Sequence, residues 1–541
     1  MIVSTHVLLV VTTVVVALAP ALARRAHLPA PSVLFLLGCA LAVLPSGGQV
    51  HLEPEFVLLV LLPVILYWEG YTTSVQHAWR YRRAILLTAV PLVIATAAVV
   101  AVTAHALGLS WTAAWILGAV VAPTDASAVA AYSRALPLRL TTILRGESLI
   151  NDGTALVLLG IAVSAAGGAD VSLASASGEL AWSYAGGTAV GALVAAAGLL
   201  AVRRVRDPLV LAAVSVAEPF AASVLAETVH ASGVVAVVVC ALGISRAARR
   251  AVPAAGRLQV HAFWETTSWL VNGALFVLVG LEARAVFDSP GVDGGRALQL
   301  VGQGLLLAAV IVAVRVAWLF LTAWLVRLLD RRPAQRELRV PWRLRVVAAW
   351  SGMRGGVSLA AALSVPVSVG ETPFPGREAV LVLTFVVVGA TLLVQGATLP
   401  AVIRWAHAHD SRDEETAALT AAVSTLGRAA EEHLRLHAEH HPGDRAVVEH
   451  LRRHLHPSRT GAGEQIHPER LRQLRRSTLA RQREVLAAMV RGGGLEDTQL
   501  WRLQERLDLD EALLLAEDDL PSPAAGPPAQ RTTLGASGVP R

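Results

Sequence analysis

Charged and amide side chains stand together in one stretch of the sequence whose surroundings are almost entirely apolar. They are Asp125, Arg145, Glu147, Asn151 and Asp152, in the segment GAVVAPTDASAVAAYSRALPLRLTTILRGESLINDGTALVL. An ionised side chain at the centre of a membrane helix costs roughly 2.5–3.5 kcal/mol on insertion scales, so charges placed there are functional candidates. We therefore interpret this stretch as the ion-handling centre of a membrane protein.

The spacing of these residues predicts a site made of oxygen atoms. Residues four apart share one face of a helix, so Ser148 and Asp152 point in the same direction. A hydroxyl and a carboxylate on one face form half of a cage for a small, hard cation. Asp125 and carbonyls freed near Thr124 can complete it, because Pro123 removes an amide donor and disfavours helix for the residue before it. The same carboxylate can bind a proton instead, and a site that holds either ion is the minimum needed for exchange.

A structural role is the alternative interpretation of these polar residues. Hydrogen bonds between polar side chains hold neighbouring helices together within a membrane. For Asn151 or Ser148 taken singly, that role is the more frequent one. Two aspartates, a glutamate and a helix break within residues 123–152 favour an ion site instead, because such charges are costly to bury.

Arg354, in the segment WSGMRGGVSLAAAL, is a second charge at membrane depth. The glycines around it weaken the helix and let another backbone approach closely. An arginine at that depth needs a buried acid, and Glu147 is the expected partner because Asp152 must stay free to titrate. The alternative is that Arg354 extends its side chain to the cytoplasmic interface, which its closeness to Arg345 permits.

Composition predicts the fold class. Of the 541 residues, 54% are hydrophobic and 16% charged, and the mean hydropathy is +0.56. Apolar runs of about 20 residues, long enough to span a bilayer, recur up to position 405. We predict an all-α polytopic membrane protein with about thirteen transmembrane helices in residues 1–405. The predicted spans are roughly 2–20, 31–45, 56–72, 84–107, 111–133, 141–165, 180–202, 208–228, 230–246, 262–283, 297–327, 343–368 and 378–404.

The arginines predict the orientation. Alternate loops are basic, beginning with Arg24 and Arg25 after the first span, whereas the opposite loops contain only Arg284, Arg296 and Arg377. Cytoplasmic loops carry the excess of positive charge, so the N-terminus is expected outside and the C-terminus in the cytoplasm of a bacterial inner membrane. These short basic loops also account for the sequence pI of about 10.1 without a nucleic-acid partner.

The composition changes after residue 405. Residues 406–520 are predicted to form a helical cytoplasmic tail with a regulatory or assembly role, and 521–541 a disordered C-terminus. Leucines at helical spacing predict two helices, separated by the glycines at 492–494. Four histidines fall near one helical face, namely His433, His437, His440 and His441. They can sense cytoplasmic pH, bind adventitious metal, or form a solvated cluster, which is the most frequent role for such residues.

The motifs APTD, GESLIND followed by TALVL, and GMRGG resemble those of the monovalent cation:proton antiporter family, which includes the sodium/proton exchangers. They lie in the fifth, sixth and twelfth predicted spans, and the similarity of layout covers residues 1–405. The resemblance implies a homodimer with a dimerisation bundle and a mobile core. It also implies inverted repeats of helices 1–6 and 8–13, with two crossed, broken helices in the core.

The resemblance also implies roles for individual residues. Asp152 would be the proton and cation carrier, and Asn151 its neighbour in an asparagine-aspartate pair. The co-ligands of the cation would be Asp125, Ser148 and the Thr124 carbonyl. Glu147 and Arg354 would form a structural ion pair. Asparagine at position 151 implies electroneutral exchange. The expected function is exchange of Na⁺, with K⁺ or Li⁺ as alternatives, for H⁺ by alternating access, serving pH and cation homeostasis without a cofactor or an enzymatic reaction.

Two other classes of protein stay open. A cation channel or a sensor derived from a transporter would keep the ion site but lose proton coupling. An intramembrane aspartyl protease would also use two membrane aspartates. However, the sequence has no GxGD motif, and such an enzyme leaves Glu147 and Arg354 unexplained.

One departure from the family pattern concerns the segment LPVILYWEGY in the third span. Many relatives have an acid where this chain has Trp68. The neighbouring Glu69 would point about 100° away around the helix, so the sequence leaves open whether it faces the ion path. Glu218 and Glu227 are interpreted as interface or structural groups rather than ligands.

Overall fold

The computed structural model describes residues 2–44, 53–73, 75–130, 132, 135–168, 172–205, 207–289, 293–329, 340–369, 372–374, 376–407, 411–455, 468–491 and 497–519. The chain divides into two compact units. The first comprises Met1–Ala422 with Gly493–Leu500, and the second comprises Val423–Gly492 with Trp501–Arg541. The predicted disorder of 521–541 and the glycine break at 492–494 lie outside the described residues.

The first unit is helical apart from one short hairpin within its described residues. Its helices up to the sixth predicted span are α1 (Ile2–Ala26), α2 (Ala30–Ala42), α3 (Pro54–Phe56), α4 (Leu62–Thr72), α5 (Val75–Arg80), α6 (Arg82–Ala89), α7 (Pro91–Ala106), α8 (Trp111–Val121), α9 (Ala126–Ala130) and α10 (Leu138–Ala166). Those that follow are α11 (Leu173–Val202), α12 (Pro208–Thr228), α13 (Gly233–Ala251), α14 (Ala254–Phe287), α15 (Gly294–Leu329), α16 (Trp342–Trp350), α17 (Gly356–Leu363), α18 (Arg377–Ala390) and α19 (Gly396–Trp405). Single π-helical turns join α3 to α4 at Val57–Leu61 and α18 to α19 at Thr391–Gln395, and β1 (Ser368–Val369) pairs antiparallel with β2 (Thr372–Pro373).

Ten helical segments in the described part of the chain are long and apolar enough to cross a membrane. The all-helical polytopic class is therefore confirmed. Two shorter apolar helices, Ala30–Ala42 and Gly233–Ala247, occupy the second and ninth predicted spans. The twelfth predicted span is divided between α16 and α17, neither of which is long enough to cross alone.

The helices of the first unit pack in two groups. In one group, α2 and α1 lie on α14, α4 lies on α13, and α11, α12 and α13 contact one another. In the other group, α8 packs against α7, α10 and α18, while α15 packs against α7 and α18. A continuous buried apolar core runs through α8, α15 and α18. The remaining faces of these helices are also largely apolar, as expected of helices that span a membrane. The second group also contains both helix breaks.

Glycines allow a close contact between α2 and α14 in the first group. Gly38 of α2 lies against Gly280 of α14, and a side chain on either residue would overlap the backbone of the other helix. Small residues at such crossings let backbones approach, which is how helices associate where lipid removes the hydrophobic driving force.

The second unit is helical in its described residues. Its elements are the C-terminal part of α20 (Ser411–His440), a 3₁₀ turn (Pro442–Asp444), α21 (Arg445–Leu455), α22 (Pro468–Arg491) and most of α23 (Asp497–Asp519). A small apolar core joins three of these helices through Leu434, Val448, Leu451 and Leu474. Both helices predicted from the leucine spacing are present.

Candidate functional site

The site is built on two helix breaks that contact each other. The first break separates α8 from α9 and holds Pro123, and the second separates α16 from α17. The backbone amide of Asp125, in the first break, donates a 2.8 Å hydrogen bond to the carbonyl of Met353 in the second. Proline and glycine interrupt the helices, and each break supplies a backbone partner that the other has lost.

Arg354 closes the end of α8. Its side chain is 1% exposed, and its Nε donates to the Val121 carbonyl at 3.0 Å, with a longer contact of 3.4 Å from Nη2 to the Ala122 carbonyl. Nη1 donates to the carbonyl of Gly352. A helix leaves its last carbonyls without partners and carries partial negative charge there, so a guanidinium in that position satisfies both. Arg354 therefore does not reach the membrane interface.

The sequence predicted an ion pair between Glu147 and Arg354, but the structure pairs Glu147 with a different arginine, Arg315. The Glu147 carboxylate accepts hydrogen bonds from both terminal nitrogens of Arg315 in α15: Nη1 donates to Oε1, and Nη2 donates to Oε2 at 3.1 Å. Thr124 donates a further 3.1 Å hydrogen bond to Oε1 of Glu147. A planar guanidinium matches two carboxylate oxygens at once, and Arg315 makes this match. Arg354 interacts with Glu147 electrostatically, without a hydrogen bond or ion pair between the two in the described part of the chain.

Sequence reasoning missed Arg315, although a signal was present. Arg315 is the single charged residue in the apolar run LVGQGLLLAAVIVAVRVAWLFLTAWLV of the eleventh predicted span. By the argument applied to Arg354, a lone arginine at that depth needs a buried acid. The sequence offered two arginines for one glutamate, and only the packing of α15 against its neighbours decides between them.

Asn151 and Ser148 hold the first break in place. The Asn151 amide nitrogen donates to the Thr124 carbonyl at 3.1 Å and to the Thr124 hydroxyl at 2.9 Å. The Ser148 hydroxyl accepts a 3.1 Å hydrogen bond from the backbone amide of Ala126. Ser148 and Asn151 thus fasten the break between α8 and α9 to α10. This is the helix-joining role that was the alternative interpretation of single polar residues. The side-chain oxygen of Asn151 is buried and has no partner among the described residues.

The two aspartates differ in how they are bonded. Oδ1 of Asp125 accepts hydrogen bonds from the backbone amide and the hydroxyl of Ser127, at 2.8 and 2.6 Å. Asp152 is 7% exposed and interacts electrostatically with the carboxylates of Asp125 and Glu69. Within the described part of the chain, the Asp152 carboxylate forms no hydrogen bond or ion pair. Both oxygens of Asp152 are thus free for an ion, whereas Asp125 has one oxygen engaged by Ser127.

A cavity of about 420 Å³ lies beside this cluster, between the two groups of helices. Trp68 and Glu69 line it from α4, Ser127 from α9 and Arg145 from α10. Glu69 therefore faces the same cavity as Ser127, the residue that hydrogen-bonds Asp125. The sequence had left the direction of the Glu69 side chain open. In contrast, Glu218 lies elsewhere and accepts a hydrogen bond from the hydroxyl of Tyr67.

Known proteins are similar to this chain in sequence. The family model described as "Sodium/hydrogen exchanger, transmembrane" matches residues 11–405. An uncharacterized Na(+)/H(+) exchanger of Mycobacterium tuberculosis is 38% identical over 533 residues, which cover 95% of this chain and 97% of that protein. A sodium, potassium, lithium and rubidium/H(+) antiporter of Bacillus subtilis is 28% identical, covering 69% of this chain and 57% of that protein.

A solved structure has a similar fold. The sodium proton antiporter MjNhaP1 from Methanocaldococcus jannaschii matches with a TM-score of 0.57 and 18% identity, over 74% of this chain and 98% of that one. The chain belongs to the sodium/hydrogen exchanger family. It is accordingly a multi-pass membrane transporter and not an enzyme, which removes the aspartyl protease from consideration.

Proposed function

We propose that the protein exchanges a monovalent cation for a proton by alternating access, with Asp152 as the carrier of both ions. The observation that supports this most directly is the division of bonds in the cluster. Glu147 is bonded to Arg315, Asn151 and Ser148 hold the first break, and Asp152 is left without a partner among the described residues. A lone buried carboxylate that needs neutralising can take either a proton or a cation.

Four oxygen-bearing groups would bind the cation together with Asp152 in the proposed site. They are the Asp125 carboxylate, the Ser148 hydroxyl and the Thr124 carbonyl, together with the unpaired side-chain oxygen of Asn151. Oxygen ligands suit alkali cations but do not by themselves separate Na⁺ from K⁺ or Li⁺. We take Na⁺ as the first candidate, and the name of the Bacillus subtilis relative makes K⁺ and Li⁺ worth testing.

We further propose that the exchange is electroneutral. Asn151 carries no titratable proton and its amide nitrogen is hydrogen-bonded to Thr124, so Asp152 is the titratable member of the Asn151–Asp152 pair and changes its occupant in each half-cycle. One proton then replaces one monovalent cation.

The proposed setting is a homodimer in a bacterial inner membrane, contributing to pH and cation homeostasis. In this proposal each protomer has thirteen transmembrane spans, with its N-terminus outside. The tail (406–520) lies in the cytoplasm and acts as a regulatory element. The two breaks lie in the fifth and twelfth predicted spans, which are equivalent places if helices 1–6 and 8–13 are inverted repeats. The group of helices containing both breaks would then be the mobile core.

The test is dissipation of a pH gradient in proteoliposomes of the purified protein, with Na⁺, Li⁺ or K⁺ added in turn. We expect dissipation by at least one cation, unchanged when the membrane potential is clamped at zero, and its loss in Asp152→Asn with the folded protein retained. Asp288→Asn, a change of the same kind at an exposed ion pair, is the matched control and should exchange normally. Cation flux that ignores the pH gradient would favour the channel or sensor, and exchange by Asp152→Asn would refute the assignment of the carrier.

A further inference from the structure

Arg145 differs from the other two arginines near the site. Arg315 donates hydrogen bonds to the Glu147 carboxylate, and Arg354 donates to backbone carbonyls. The guanidinium of Arg145 is half-buried, lines the cavity described above, and has no hydrogen bond or ion pair among the described residues. It is therefore a positive charge with unused donors in the cavity that Ser127, a partner of Asp125, also lines.

Two carboxylates share the cavity with Arg145. Glu69 lines it from α4 and Glu265 from α14, whereas Arg145 belongs to α10. Arg145 and Glu69 interact electrostatically without forming a hydrogen-bonded pair. Glu265 is exposed and likewise has no bonded partner in the described residues. The cavity thus contains one fixed cation and two acids, and they come from both groups of helices.

A cation that enters this cavity meets the same acid that Arg145 faces. Ser127, whose amide donates a hydrogen bond to Asp125, forms part of the same lining as Glu69, so the cavity ends one residue contact away from Asp125. Like charges in a confined space of low dielectric repel one another, and an arginine is charged at every physiological pH. The guanidinium and the transported ion cannot both neutralise Glu69.

We propose that Arg145 acts as a tethered competing cation that sets the apparent affinity for the transported ion. When the cavity holds no alkali cation, the guanidinium neutralises Glu69. An entering cation displaces it, and the wide cavity gives Arg145 room to move toward Glu265. This inference rests on the proposed function, since it concerns the access route to the same site. It assigns Arg145 a positioning role and not a place among the ligands.

The test compares the KM for the cation in proteoliposomes, at the same alkaline pH for every variant. We expect Arg145→Gln to lower KM by roughly three- to thirtyfold, because a repulsive charge next to the route is removed. Arg145→Lys keeps the charge and should stay near the wild-type KM. Arg139→Gln removes the same charge from the same helix, where Arg139 lies over the Tyr81 ring outside the cavity, and it should leave KM unchanged.

A second comparison tests whether Arg145 acts through Glu69. In a Glu69→Gln background, the further change Arg145→Gln should alter KM much less than it does in the wild type. An unchanged or raised KM in Arg145→Gln, or an equal drop in Arg139→Gln, would overturn the proposal, as would an undiminished effect in the Glu69→Gln background. Failure of the wild type to exchange any cation would instead count against the proposed function, so the two failures are distinguishable.

Discussion

At the residue scale, the buried ion pair of Glu147 and Arg315 should contribute strongly to the free energy of unfolding. Both side chains are about 2% exposed, and each satisfies the charge of the other in a place that water hardly reaches. Removing one partner of such a pair leaves an uncompensated charge, whereas replacing both by apolar groups is often neutral.

We therefore expect Arg315→Leu to lower the free energy of unfolding by about 3–5 kcal/mol, and Glu147→Leu with Arg315→Leu to recover most of that loss. Thermal unfolding of the purified protein in detergent measures both. Arg284→Leu is the matched control, because Arg284 pairs with Asp288 at an exposed position and should change stability by less than about 1 kcal/mol. A double variant no more stable than the single one would show that the carboxylate's other contacts, such as Thr124, carry the energy.

Part of the candidate site is predictable from residue types. Proline and glycine interrupt apolar runs, and carboxylates stand where lipid would otherwise exclude them, so the breaks and Asp152 follow from local chemistry. The partner of Glu147 does not, because Arg315 lies 168 positions away and its contact depends on how α15 packs. The free oxygens of Asp152 are likewise a result of which neighbours bond to each other.

At the element scale, the contact between the two helix breaks depends on a residue without a side chain. A Cβ at Gly355 would overlap the carboxyl group of Asp125. Any side chain there must push the two breaks apart or displace the carboxylate.

Gly355→Ala should accordingly abolish cation/proton exchange and lower the unfolding temperature. The comparison is Gly160→Ala in α10, where an added Cβ meets nothing within 4 Å. Within a helix that change should be neutral or stabilising by about 0.5–1 kcal/mol, with exchange retained. Proteoliposome transport and thermal unfolding of the two variants provide the measurement, and wild-type exchange by Gly355→Ala would contradict the close contact.

Hydropathy predicted the helices well because membrane-length apolar runs have few other solutions. It was less informative where a helix is short or divided. Gly352, Gly355 and Gly356 indicated a weak helix in the twelfth predicted span, but not that α16 and α17 are separate. Likewise, nothing in the residues of Thr391–Gln395 indicates a π-helical turn, which arises from packing against neighbours.

At the scale of the whole molecule, the second unit has its own sensitivity to pH. Nε2 of His433 lies 3.0 Å from the Ser477 hydroxyl and joins α20 to α22. Burial lowers the pKa of His433, and the charges of His437 and Arg481 act in the same direction, while Glu484 opposes them. A histidine whose pKa is lower in the folded state contributes stability above its unfolded value of about 6.5, and that stability is lost as the pH falls through this range.

We expect hydrogen exchange of the α22 amides near Ser477 in the full chain to quicken as the pH falls from about 7.5 to 5.5, after correction for the intrinsic rate. His433→Gln should remove this dependence, because glutamine does not titrate. His440→Gln, at an exposed position of α20, should keep it. Equal pH dependence in the wild type and His433→Gln would assign the effect to another group.

The hydrogen bond from Asp125 to Met353 also constrains how the protein is made. Its donor leaves the ribosome 228 residues before its acceptor (353 − 125 = 228). At a synthesis rate of about 5–20 residues per second, the first break waits roughly 10–50 s for its partner. During that time its amides and the carbonyls at the end of α8 need water or the insertion machinery as substitutes, because lipid offers them none. Chains truncated before the twelfth span therefore expose an unfinished membrane helix, a feature by which quality control can recognise them.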